Sequence, residues 1–79
     1  MFVFVVAVPR SDYRIILGAA IRKRRDRLGM TQERLAEKAD LHPNYTGRVE
    51  RGEEHVSLHA LRRIARALGV RVRDLVRDI

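Results

Sequence analysis

The segment from Thr31 to Gly52 carries dense helix start and stop signals, and it constrains the fold more than any other feature. Thr31 is a favoured N-cap residue type. Small and aliphatic residues then recur at helical spacing: Leu35, Ala36 and Ala39. His42 followed by Pro43 marks a second helix start, because proline favours the first helical position, and Gly52 supplies the stop. The segment therefore predicts two short helices joined by a tight turn.

Three further helices are predicted outside this segment. A first helix covers about 11–28 and places three apolar residues on one face: Leu17, Ile21 and Leu28. Ser57 caps a fourth helix that ends at Gly69. Its apolar residues lie at helical spacing: Leu58, Leu61, Ile64, Ala65 and Leu68. A short fifth helix covers about 72–78, so residues 11–79 are expected to form a single all-α domain.

Composition narrows the functional classes. The chain has 79 residues, a formal net charge of +7 and no cysteine. Fifteen of its 17 basic residues are arginine, which suits phosphate and guanine edges, so a polyanionic partner is expected. The lack of cysteine excludes disulfides, thiolate catalysis and cysteine-based zinc sites. No segment reaches the roughly 20 apolar residues of a membrane span, and we expect a cytoplasmic protein.

Residues 1–10 differ from the rest of the chain. The stretch Phe2–Val8 is uncharged and rich in valine and phenylalanine, which predicts an extended strand. It lacks the basic start and the cleavage site of a signal peptide. A single strand must pair with something, and the same strand of a second copy is the simplest partner. A disordered leader or a start codon assigned too early is the alternative reading of this arm.

The span from Leu17 to Leu75 resembles the phage repressor and Cro-like helix-turn-helix family, also called the XRE family. The resemblance is carried by ordered pieces: Leu17-Gly18, Ile21-Arg22, Arg25, Gly29–Gln32, Leu35-Ala36, Val49–Gly52, Ser57-Leu58 and Ile64–Leu68. Residues 41–45 and 50–52 are most similar to small stand-alone regulators such as restriction–modification controller proteins. The resemblance implies a five-helix repressor-like DNA-binding domain, with its helix-turn-helix at about 31–51 and no catalysis, cofactor or metal.

The resemblance also implies roles for individual residues. Three match positions that face base edges: Asn44, Tyr45 and Arg48. Five match positions that meet DNA phosphates: Arg25, Thr31, Gln32, His42 and Arg51. Arg25 and Glu50 match an ion pair that ties the first helix to the end of the recognition helix. The alternative role of Thr31 and His42 is to cap a helix. The alternative role of Tyr45 is to pack its ring against the DNA backbone.

A homodimer on double-stranded DNA with a roughly palindromic operator is the function that the family implies. The dimer interface is expected from apolar residues at both ends of the chain: Phe2, Phe4, Val6, Val70, Val72, Leu75, Val76 and Ile79. Two other readings stay open. One is the antitoxin of a toxin–antitoxin pair, which binds a toxin. The other is a protein-interaction module that does not bind DNA. An RNA binder is disfavoured because the chain has only four Phe and Tyr residues and no Trp.

The sequence also departs from the family pattern. Arg24 stands where the family has a buried leucine, so this face of the first helix is expected to be open or covered by the arm. Thr46 replaces an aliphatic anchor, and Gly47 adds a helix penalty of about 1 kcal/mol. The recognition helix is therefore expected to be loosely seated until DNA orders it. Glu53 and Glu54 are expected to repel DNA or to face a partner protein.

A metal site or active site is not expected. His42, His55 and His59 lie near acidic residues, but His55 and His59 straddle a helix start and no HExxH motif occurs. There is no glycine-rich phosphate loop either.

Overall fold

The computed structural model describes residues 10–79, and the helices follow the predicted order. These are α1 (Arg10–Arg27), α2 (Gln32–Ala39), α3 (Pro43–Glu50), α4 (Leu58–Leu68) and α5 (Val72–Val76). Residues 10–79 contain no strand, so the all-α prediction is confirmed. The predicted Phe2–Val8 arm lies outside the described residues. No helix of the described part is long and apolar enough to cross a membrane.

Side-chain caps start α2, α3 and α4 at the predicted residues. The hydroxyl of Thr31 accepts a hydrogen bond from the backbone N–H three residues on, at 3.0 Å. Ser57 makes the same contact at the start of α4, also at 3.0 Å. At α3 the ring Nδ1 of His42 accepts from the N–H of Asn44 at 3.0 Å, and Pro43 follows as the first helical residue. Each cap satisfies an N–H that has no partner within its helix.

The turn between α2 and α3 depends on Asp40. Its φ of 56° lies in the left-handed region, and it is the one non-glycine residue of the described chain with positive φ. This backbone reversal lets the N–H of Leu41 donate to the carbonyl of Ala36 at 2.9 Å, which closes the end of α2. The two helices are thereby held at the short separation that the sequence predicts.

The core lies where α1 packs on α3 and α2 packs on both α3 and α4. Its most deeply buried large side chains come from different helices: Ile21, Leu35, Val49, Ile64 and Leu75. Leu75 is only 1% exposed and belongs to this single-chain core, so its assignment to a dimer surface is wrong. Val70, Val72 and Val76 are partly buried against the same core, and Ile79 is 48% exposed.

Two apolar residues predicted on core faces lie in solvent instead. Leu28 is 55% exposed because α1 ends at Arg27 and the chain turns there, so helical periodicity no longer sets its direction. Leu58 is 66% exposed. It is the first residue of α4, and the Cα–Cβ bonds of a helix tilt toward its N-terminus, which carries this side chain beyond the packed part.

Arg24 lies half-buried on α1, where the sequence predicts an unusual face. It lines a groove of about 520 Å³ between α1 and α5, together with Ile16, Ala20 and Asp74. Among the described residues this face of α1 is open. Whether the arm covers it lies outside the described residues.

Candidate nucleic-acid interface

The short helix α3 has one buried and one exposed face. Thr46 and Val49 are 0% and 1% exposed on its inner side. On its outer side Asn44 is exposed, and Tyr45 and Arg48 are half-buried. Asn44 and Arg48 are four residues apart and so lie on one face of the helix. The fold therefore presents a polar strip on a helix whose back is packed against the core.

Thr46 replaces the expected aliphatic anchor of α3, but it is packed into the core. Its side chain is fully buried, and its hydroxyl donates to the carbonyl of His42 at 3.3 Å. This contact within α3 satisfies the one polar group that the substitution for an aliphatic residue introduces. In the structure α3 is packed along its inner side, and a looser seating before DNA binds stays a prediction.

A buried ion pair fixes the C-terminal end of α3 to α1. Arg25 Nε donates to Glu50 Oε2 at 2.6 Å, and Arg25 Nη2 donates to Glu50 Oε1 at 3.0 Å. The two side chains are only 10% and 1% exposed. The hydrogen bonds to Glu50 raise the pKa of the Arg25 guanidinium, an effect that burial partly offsets. The structure thus brings together the two residues that the family resemblance pairs.

The remaining contacts of Arg25 bear on its predicted contact with phosphate. Its Nη1 donates to the carbonyl of Met30 at 2.7 Å and lies 3.3 Å from Oδ1 of Asp26. All three nitrogens therefore have acceptors within the protein. Its contact with DNA stays a prediction, and the structure gives Arg25 a positioning role that does not need DNA.

Gln32 lies at the N-terminus of α2 and joins the same network. Its Nε2 donates to Glu50 Oε1 at 3.0 Å, so one carboxylate links the start of α2, the last turn of α1 and the end of α3. The side chain is half-buried, whereas the neighbouring cap Thr31 is exposed. A helix N-terminus favours anions, so both residues lie where a phosphate would be stabilised.

The two arginines of the recognition segment are each paired with a neighbouring glutamate. Arg48 Nε donates to Glu54 Oε2 at 2.7 Å, and Arg51 Nε donates to Glu53 Oε2 at 3.1 Å. The Arg48 guanidinium also lies 5.9 Å from the centroid of the Tyr45 ring, within cation–π range. These contacts were not predicted, and opposite charges close in sequence were the only signal for them.

Glycines let α1 approach the end of α3 closely, a role that the sequence alone does not reveal. A Cβ on Gly18 would lie 2.6 Å from the carbonyl oxygen of Glu50 and still closer to that of Val49. A Cβ on Gly52 would lie 2.9 Å from the Cα of Ile15. Backbone therefore packs directly on backbone at this junction. The position of α3 depends on both glycines.

Gly47 contributes differently, and its replacement gives a first prediction. Gly47→Ala is expected to raise the free energy of unfolding by about 0.5–1 kcal/mol, because alanine has the higher helix propensity. The new Cβ would lie 3.2 Å from Nη1 of Arg51 and 3.7 Å from Oε1 of Gln32, both at the ends of side chains that can shift. Urea unfolding of both proteins measures the difference. A loss of stability would mean that these side chains cannot adjust.

This arrangement defines a helix-turn-helix domain, with α2 and α3 as its two helices. The chain belongs to the helix-turn-helix family of XRE type, whose family model, described as Helix-turn-helix, matches residues 21–75. Members of this family are DNA-binding transcription regulators and not enzymes.

Individual relatives support this assignment. The chain is 39% identical over 67 residues to control protein C.BamHI of Bacillus amyloliquefaciens. The aligned region covers 84% of this chain and 83% of the relative. It is 40% identical over 65 residues to control protein C.SmaI of Serratia marcescens, with coverage of 82% and 77%. Among solved structures it is similar to the restriction-modification controller protein C.AhdI from Aeromonas hydrophila. The TM-score is 0.77 at 37% identity, with 78% of this chain and 94% of that chain covered.

Proposed function

We propose that this regulator binds double-stranded DNA sequence-specifically, as a homodimer on a roughly palindromic operator. The observation that carries the proposal is the polar strip of α3, on which Asn44 and Arg48 share one side of a helix with a fully packed back. Asparagine suits adenine and arginine suits guanine, each through paired hydrogen bonds in the major groove. A recognition helix held in this way can present both side chains to base edges.

The surroundings of α3 support DNA as the partner. Gln32 and Thr31 at the start of α2 lie beside a helix N-terminus that favours phosphate. The net charge of +7 provides a long-range attraction to a polyanion. Phosphate contacts and release of counterions would supply most of the binding free energy, and contacts to bases would supply specificity.

A dimer would place two copies of α3 in successive major grooves, about 34–36 Å apart. We propose that its interface includes the exposed Ile79 and the partly buried valines near α5, namely Val70, Val72 and Val76. The arm residues Phe2, Phe4 and Val6 stay part of this proposal. The similarity to control proteins also supports the proposal that this regulator controls a restriction–modification system.

Replacing Arg48 by alanine tests the role of α3. We expect Arg48→Ala to lose preference at one base pair in each half-site, at a cost of about 1–3 kcal/mol, because one bidentate contact is removed. The measurement is selection of bound sequences from random duplex DNA with both proteins. Arg62→Ala is the charge-matched control, since Arg62 is exposed on α4 and should change affinity without changing the motif.

Other outcomes would reject the proposal. Salt-sensitive binding without any motif would leave only non-specific attraction between the basic protein and DNA. No binding at all would favour a protein-interaction module. A motif without two-fold symmetry would reject the dimeric operator and keep the DNA-binding role.

A further inference from the structure

Glu54 contacts Arg48 in the polar strip of α3, and the packing of the described residues does not explain this contact. Its carboxylate accepts from Arg48 Nε at 2.7 Å, and the two side chains are 28% and 43% exposed. An acidic group beside a DNA-reading helix lowers affinity through repulsion of phosphates. Unless Glu54 has a compensating role, its charge should only weaken the binding of DNA.

We propose that Glu54 is a specificity-determining residue, which orients the Arg48 guanidinium for a guanine edge. The inference rests on the proposed function of α3. The bond uses Nε alone, which leaves both terminal Nη groups of Arg48 for the paired hydrogen bonds that a guanine O6 and N7 accept. The Tyr45 ring centroid also lies 5.9 Å from the Cζ of Arg48, within cation–π range. The guanidinium is therefore held at Nε, and its two Nη groups are left to contact a base.

The loop that carries Glu54 is itself held in place. The N–H of Glu53 donates to the carbonyl of Arg48 at 2.9 Å, so the loop leaves α3 in a defined direction. On its other side His55 Nδ1 lies 2.8 Å from the hydroxyl of Tyr13 on α1. These two contacts hold the chain on either side of Glu54, so its carboxylate starts from a defined backbone position when it accepts from Arg48. A side chain oriented before binding loses less conformational entropy when it meets its base pair.

Glu53 provides a matched comparison within the same loop. It carries the same charge one residue earlier, but its partner is Arg51, and both side chains are more than half exposed. Arg51 follows the C-terminus of α3 and is expected to contact phosphate, which carries no sequence information. Removing either carboxylate should reduce repulsion of DNA similarly. Only the loss of Glu54 should change which bases are preferred.

The experiment compares Glu54→Gln and Glu53→Gln with the wild type on the selected operator. Dissociation constants are measured for that duplex and for duplexes altered at either of two base pairs. One is the base pair that Arg48→Ala identifies, and the other is the one that Asn44→Ala identifies in the same selection. We expect Glu54→Gln to lower discrimination at the Arg48 base pair about 2- to 10-fold. Discrimination at the Asn44 base pair should not change. Glu53→Gln should leave both ratios within about 2-fold. In Arg48→Ala, Glu54→Gln should change neither ratio further, although it still reduces the repulsion of DNA.

Several results would overturn the inference. Unchanged discrimination in Glu54→Gln, or equal tightening on all duplexes, would make Glu54 only a repulsive charge. An equal loss at both base pairs would indicate a general displacement of α3. If the wild type selects no motif, the proposed function fails and the inference fails with it. A wild-type motif that Glu54→Gln reads equally well rejects the inference alone.

Discussion

Replacing Glu50 by alanine is expected to lower the free energy of unfolding by about 3–5 kcal/mol, which is the cost of leaving a buried charge without its partner. Arg25 is 10% exposed in its side chain and has no other carboxylate inside the core to replace Glu50 among the described residues. The carboxylate also accepts from Gln32, so α2 loses a contact at the same time. A domain of this size is stable by only about 4–12 kcal/mol. Urea unfolding of Glu50→Ala and of the milder Glu50→Gln measures the loss.

Two controls separate this effect from a general loss of charge. Glu37→Ala removes a carboxylate from the Arg34–Glu37 pair, whose side chains are 58% and 70% exposed, and should cost less than about 1 kcal/mol. The double variant Arg25→Met/Glu50→Leu should recover much of the lost stability, because apolar residues of similar size can replace a buried pair. Equal losses in Glu50→Ala and Glu37→Ala would contradict the assignment of Arg25–Glu50 as a buried structural pair.

Much of the fold could be predicted because its signals are local. The caps at Thr31, His42 and Ser57 act on N–H groups within three residues, so each helix start is readable from a few neighbouring positions. The glycines at 29 and 69 have positive φ, a conformation that glycine adopts readily and that ends α1 and α4. These features depend little on the rest of the chain, and the helix order followed from them.

Features that depend on tertiary geometry could not be predicted from the sequence. Helical periodicity assigned Leu28 and Leu58 to the core, but it does not say where the neighbouring helices stop. Leu75 was expected on a surface because an apolar residue near a chain end can face either a core or a partner. The contact of Glu54 with Arg48 joins a loop to a helix across a turn, and no repeating spacing describes it. The pattern of α3 residues and the Arg25–Glu50 pair could be predicted, whereas the contact between Glu54 and Arg48 could not.

The same limit applies to Gly18, whose role is visible only where α1 crosses the end of α3. Gly18→Ala is expected to lower the free energy of unfolding by about 1–3 kcal/mol, although alanine is the better helix former by about 1 kcal/mol. The new Cβ would overlap the carbonyl oxygens of Val49 and Glu50, which belong to the backbone and cannot rotate away. Relief requires α1 and α3 to separate, and this would also strain the buried pair of Arg25 with Glu50.

Gly47→Ala is the matched control for this substitution, since it adds the same methyl group inside a helix but meets only movable side-chain ends. Opposite signs are expected in urea unfolding, with Gly47→Ala more stable and Gly18→Ala less stable than the wild type. Separation of α1 from α3 displaces the polar strip of α3. Gly18→Ala should therefore also bind the selected operator more weakly at temperatures where it is fully folded. A stabilised Gly18→Ala would mean that the backbone contact can open without cost, and that α3 is not positioned by α1.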